Sequence, residues 1–197
     1  MIRWSSIVFS LLICVSLVQA KDIPEQPPLR VESVQADFTQ EKQLPILARP
    51  LFSKGRFLFQ APDSLRWEYF SPVHTVLLMY NGGICKFVQH GDRFVEEQGM
   101  GVDSMHIVLQ EITGWLDGEI TDTPTFKAHV KDNNLIILTP REAALANIIS
   151  SIELKLLDRT GLMESVTLYE GGDSLTRMVF SAGILNENIP ARLFTEP

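Results

Sequence analysis

At 197 residues the chain is long enough to bury a substantial core in one domain. Apolar residues make up 45% and charged residues 21%, a globular balance that excludes a disordered chain. The formal net charge of -7 argues against a phosphate-backbone partner, so no nucleic-acid role is expected.

Residues 1–20 read as a secretory signal peptide. Arg3 supplies the positive start, an apolar run extends from Ile7 to Val18, and Val18-Gln19-Ala20 puts small residues where a signal peptidase reads them. An uncleaved anchor fits less well, because the run is short for a membrane span and Lys21 and Asp22 follow it. A lipidated Cys14 is disfavoured by the bulk of Ile13. The expectation is an exported, soluble, monomeric domain over residues 21–197, without a membrane span. Cys14 leaves with the signal, so Cys85 stands alone and no internal disulfide is expected. In its strand-like setting Cys85 reads as a small buried hydrophobe and not as a nucleophile.

Pro24, Pro27 and Pro28 make the start of the mature chain an extended lead-in. The segment Val31 to Phe38 is ambiguous. Val31, Val34 and Phe38 fit a helix, whereas Ala36, Phe38 and Gln40 fit a strand. Pro45 and Pro50 mark Gln43 to Ser53 as a loop or strand edge. A three-stranded meander follows, from Gly55 to Asn81. Phe57 and Phe59 fall on one side of the first strand, Leu65, Trp67 and Tyr69 on one side of the second, and Leu77 and Met79 on one side of the third. Turn residues Ala61 to Ser64 and Ser71-Pro72 separate them. Asn81-Gly82 signals another hairpin, and the runs 84–89 and 93–97 form one around His90-Gly91-Asp92.

The period then changes. Met105, Val108, Leu109, Ile112, Trp115 and Leu116 recur at helical spacing and predict one amphipathic helix over 103–116, capped by Asp103 or Ser104 and stopped by Gly118. Such a helix among strands is expected to cover an apolar sheet surface. Strands resume at Phe126, with a link or helical turn at 141–147. In the run 148–157 the alternation puts Ile148, Ser150, Ile152, Leu154 and Leu156 on one face. Two further strands flank Gly171-Gly172-Asp173. The sum is mainly β (α+β), about ten antiparallel strands with a few short helices. Such a sheet either fills its own interior as a sandwich or curls into an open or closed barrel that can hold a ligand.

Catalytic patterns are missing. There is no phosphate loop, dinucleotide fingerprint or nucleophile elbow, and His74, His90, His106 and His129 make no metal-ligand spacing. No catalytic residue, metal site or cofactor is expected. A hydrolase with carboxylates assembled in space is the weakest of three readings. The others are a lipid carrier and a non-catalytic binding or scaffold module with a filled sandwich core.

The succession Phe38-Thr39-Gln40-Glu41-Lys42, Ser53-Lys54-Gly55-Arg56-Phe57, Ala61-Pro62, Leu65-Arg66-Trp67-Glu68-Tyr69, Pro72 and Asn81-Gly82 resembles the outer-membrane lipoprotein carrier (LolA-like) family. The match spans about Val31 to Phe87, and the later helix and strands agree in outline. The resemblance implies a half-open antiparallel β-barrel covered by helices. It implies a periplasmic carrier that takes acylated lipoprotein, or a related lipid, from an inner-membrane transporter to an outer-membrane acceptor. Under it, Phe57, Phe59, Leu65, Trp67, Tyr69, Leu77 and Met79 form the lipid cavity. Met105, Val108, Leu109, Ile112 and Trp115 belong to the lid. The family's arginine before the proline, which fastens the lid, is Ala61 here, and the Leu44 to Phe52 insert marks a divergent branch.

Overall fold

A computed structural model describes residues 31–97, 107, 111–112, 114–115, 120–132, 134–157 and 162–197. The predicted signal peptide lies outside these residues, as do Met105, Val108, Leu109 and Leu116. Eleven strands form the frame: β1 (Ser33–Gln43), β2 (Leu51–Gln60), β3 (Ser64–Ser71), β4 (Thr75–Tyr80), β5 (Gly83–His90), β6 (Arg93–Glu96), β7 (Phe126–Asp132), β8 (Leu135–Pro140), β9 (Ile149–Leu156), β10 (Met163–Glu170) and β11 (Ser174–Leu185). One helical turn, α1 (Ala143–Ala146), links β8 to β9. The ambiguous first segment is thus a strand. Its alternation wins because both flanks find partners, β2 on one side and β11 on the other.

All eleven strands join one sheet in the order β6-β5-β4-β3-β2-β1-β11-β10-β9-β8-β7. Every pairing is antiparallel. The order is that of an up-and-down meander closed between its first and last strands and open between β6 and β7. Residues 107, 111–112 and 114–115, in the segment joining those two open edges, are helical. This is a half-open antiparallel barrel, and its inner apolar face is the core.

Register accounts for that face. Phe57 pairs with Trp67 and Trp67 with Leu77, while Phe59 pairs with Leu65 and Leu65 with Met79. Directly opposed residues share a face, so the rows read from the sequence align across three strands. On the other flank Phe38 pairs with Phe180, Met178 with Val166, Val166 with Leu154, and Leu154 with Ile136. The Asn81-Gly82 turn has the expected left-handed backbone at both positions, φ 49° and 75°.

Two bulges reset the alternation. In β9, Ser150 is an extra residue between the pairs Ser151–Tyr169 and Ile149–Glu170. The expected row through Ile148 is therefore corrected: Ile149 is fully buried, and Ile148 is 39% exposed. In β11, Ala182 and Gly183 together oppose Ala36 of β1, and Ala182 takes φ 54°.

The outer face is apolar over part of β2 to β4, where the last residues cover it. Leu58 packs with Ile189 and Phe194. Arg66, itself buried, donates from its guanidinium to the carbonyl oxygens of Leu193 (3.1 Å) and Glu196 (2.6 Å). Its Nε donates to Glu68 Oε2 at 2.7 Å, and His74 Nε2 lies 2.7 Å from Glu68 Oε1. Burial raises the Glu68 pKa, but hydrogen bonds and charges from Arg66 and His74 outweigh it and hold the carboxyl below its usual 4.5.

A Cβ on Gly55 would press on the Glu68 carbonyl oxygen and the Phe38 ring, so Gly55→Ala is expected to cost about 2 kcal/mol or more in urea unfolding. A depressed carboxylate pKa stabilises the fold above its unfolded value, and that contribution is lost as pH falls through the folded value, here below 4.5. Glu68→Gln should cost about 1–3 kcal/mol at neutral pH and lack this acid-dependent component when stability is titrated.

Candidate functional site: an apolar pocket at the strand bulge

The seven cavity candidates all lie on the inner face and in the central core cluster. Phe59, Leu65, Trp67, Phe57, Leu77 and Met79 are buried, and Tyr69 is partly buried against them. They form a closely packed wall. Trp67 is its centre, with Phe38 and Phe57 rings at 5.3 Å and Phe180 at 6.4 Å. Phe38 also meets Tyr69 edge-on at 5.2 Å. These separations and tilts suit the ring quadrupoles. The Tyr69 hydroxyl donates to Gln40 Oε1 at 2.9 Å, which satisfies the polar end of that side chain. Trp67 Nε1 has no acceptor among the described residues.

Open space lies beside this wall, around the β11 bulge. A pocket of about 160 Å³ is lined by Val34, Ala36, Phe57, Ile112, Phe180 and the bulge residues Ala182 and Gly183, with Leu157, Leu162 and Met163 at the β9–β10 end. Ser181 is the one hydroxyl in the lining. The physical origin of the void is local. Small residues meet there, because Ala36 of β1 lies opposite the two bulge residues Ala182 and Gly183 and none of the three fills the space beside Phe57. A mostly apolar space of this size suits a hydrocarbon fragment about as large as benzene.

Of the cavity candidates, Phe57 therefore touches the pocket directly, and the others stand behind it. Of the lid candidates, Ile112 lines the pocket and Trp115 is buried in the same core, while Met105, Val108 and Leu109 fall outside the described residues. Ile107 is also buried there. Apart from Phe57 and Ile112, sequence reading named none of the lining residues as site candidates, Ala36, Phe180, Ala182 and Gly183 among them. Phe180 had a signal, since it alternates with Met178 in an apolar run. The bulge had none, because it arises only from the pairing of β11 with β1.

Groups of His, Cys, Asp and Glu able to hold a metal are absent among the described residues. His74 lies 2.7 Å from Glu68 and 3.0 Å from Gln89 Oε1, so both ring nitrogens have neighbours and neither faces a hydroxyl. Cys85 is half-buried, and burial and then Glu96 push its thiol above the ordinary value, away from the reactive thiolate. No described helix is long and apolar enough to cross a membrane.

The family model for the outer membrane lipoprotein carrier protein LolA matches residues 30–196. A search of curated proteins returned no significant match. Three solved structures follow a similar course. A DUF1329 family protein from Desulfovibrio piger has TM-score 0.46 and 9% identity, over 83% of this chain and 90% of that one. The lipoprotein LppX of Mycobacterium tuberculosis has TM-score 0.42 and 13% identity, over 81% and 89%. A LolA superfamily protein from Nitrosomonas europaea has TM-score 0.39 and 11% identity, over 84% and 90%.

The packed wall yields a prediction. Leu65→Ala should cost about 2–5 kcal/mol in chemical unfolding. Trp67→Phe should cost less than about 1.5 kcal/mol, because it also removes a buried donor that lacks an acceptor among the described residues.

Proposed function

We propose that this chain, which belongs to the family of the outer membrane lipoprotein carrier protein LolA, is a non-enzymatic periplasmic carrier. It binds the acyl chains of a lipoprotein, or of a related lipid, inside its half-open barrel. It would receive this cargo from an inner-membrane transporter and pass it to an outer-membrane acceptor. The observation that carries the reading is the apolar pocket at the β11 bulge, bordered by Phe57 and by Ile112 of the covering segment.

The chemistry needs no covalent step and no cofactor. Each methylene moved from water into an apolar site contributes roughly 0.8 kcal/mol. A space of about 160 Å³ takes the end of a chain and not its whole length. Binding a full acyl chain requires the covering residues Ile107, Ile112 and Trp115 to move off the inner face. The chain would then lie along Phe57, Phe59, Leu65, Trp67, Tyr69, Leu77 and Met79. Apolar walls without a charged anchor hold a lipid non-directionally, which suits a protein that must also release it. The close packing of the same residues favours a second reading, a binding or scaffold module whose core stays filled.

Gly183 separates the two. A Cβ there meets only Leu162 methyl groups at 3.8–3.9 Å. Gly183→Leu should therefore fold and obstruct the pocket. Uptake of a fluorescent fatty acid, followed by titration, is expected for the wild type and reduced at least about tenfold in Gly183→Leu. Absence of uptake by the wild type would establish the filled-core reading instead.

A further inference from the structure

We propose that the β1–β2 loop and the strand start after it, residues 44–52, form a lipid-surface anchor that seats Ile46 and Leu47 in the headgroup region of an anionic bilayer. This does not rest on the carrier reading, because the loop and the pocket lie at opposite ends of the sheet. The pocket is built from the beginning of β1 and the end of β11. The loop follows the end of β1, beyond the pair Lys42–Leu51.

The loop presents its apolar side chains by construction. The Leu47 amide donates to the Leu44 carbonyl oxygen at 2.9 Å, closing a β-turn with Pro45 at its second position. Ile46, the third residue of that turn, is 90% exposed, and Leu47, Leu51 and Phe52 are exposed beside it, Phe52 at 65%. The β3–β4 turn reaches the same end, through the pair Lys54–Ser71, and adds exposed Phe70 and Val73. These large apolar side chains are all exposed at one end of the sheet, Leu51 and Phe52 on opposite faces of β2.

Charge selects a lipid surface. From Lys42 to Arg56 the sequence has four cations and no acid, within a chain of net charge -7. Lys42 is engaged by Glu170 at 3.4 Å and Arg56 by Asp37 at 3.4 Å. Arg49 and Lys54 have no ion pair among the described residues. Nearby acids are Glu41, which lies opposite Arg177 across the ladder, Glu170, and Asp173 on the adjoining turn. A protruding apolar tip with free cations just behind it is the arrangement by which peripheral proteins meet anionic headgroups.

The test is flotation of the full mature chain with phosphatidylcholine vesicles, with and without phosphatidylglycerol. Binding is expected to the anionic vesicles and to weaken with salt. Ile46→Asp should lower it at least about tenfold, and Arg49→Gln by about fivefold. Fatty-acid uptake should stay unchanged in both variants, which keeps this result separate from the pocket. Failure of the wild type to float, or flotation of Ile46→Asp equal to wild type, would overturn the proposal. So would self-association that Ile46→Asp abolishes without any vesicle binding, which would make the loop a contact between copies.

Discussion

The ladder between the first and last strands is the constraint on which the rest of this structure depends. β1 pairs over its length with β2 on one side and with β11 on the other. Without the second pairing the chain would be two separate meanders, each with an exposed apolar face. With it, those faces become one concave surface, and Phe38 of β1 can touch Trp67 from one half and Phe180 from the other. Closing so long a loop costs entropy that grows only slowly with length. The inner-face burial gained on both flanks offsets it.

The sheet is closed on one side and open on the other. β6 and β7 remain unpaired with each other, and the segment between them supplies Ile107, Ile112 and Trp115 to the core. A sheet edge is closed most fully by another strand, and here part of that work falls to helical residues instead. Side-chain packing between helical residues and a sheet can be undone without breaking any ladder hydrogen bond. Ile107, Ile112 and Trp115 thus cover the inner face through side-chain packing, while the ladders of the sheet are complete without them. A small apolar space lies between Ile112 and the β11 bulge residues Ala182 and Gly183, next to Phe57 of the wall.

The outer face follows a different logic. Its apolar part over β2 to β4 is sealed by the chain's last residues through Leu58, Ile189 and Phe194. The buried Arg66 is acceptable there because Glu68 and two carbonyl oxygens satisfy it. The Arg66–Glu68–His74 arrangement brings together residue types found in catalytic sites. Its geometry serves to fasten a tail.

Much of this was legible without coordinates. The rows Phe57–Phe59, Leu65–Trp67–Tyr69 and Leu77–Met79, the Asn81-Gly82 turn and the change of period before Ile112 are short-range properties, set by side-chain alternation and backbone preference within a few residues. They were enough for the mainly β class and for the apolar rows of the inner wall, whereas the family was read from a resemblance carried by the residue succession between Phe38 and Gly82. The pocket was not legible, because it depends on which distant strand lies beside which. Ala182 and Gly183 become a bulge only opposite Ala36, more than a hundred residues earlier in the chain. Ser150 likewise turns Ile149 inward only in register with β10. Local sequence determined the strands and their apolar faces. Tertiary pairing decided where those faces leave room, because register is a long-range choice among ladders that no single stretch of sequence contains.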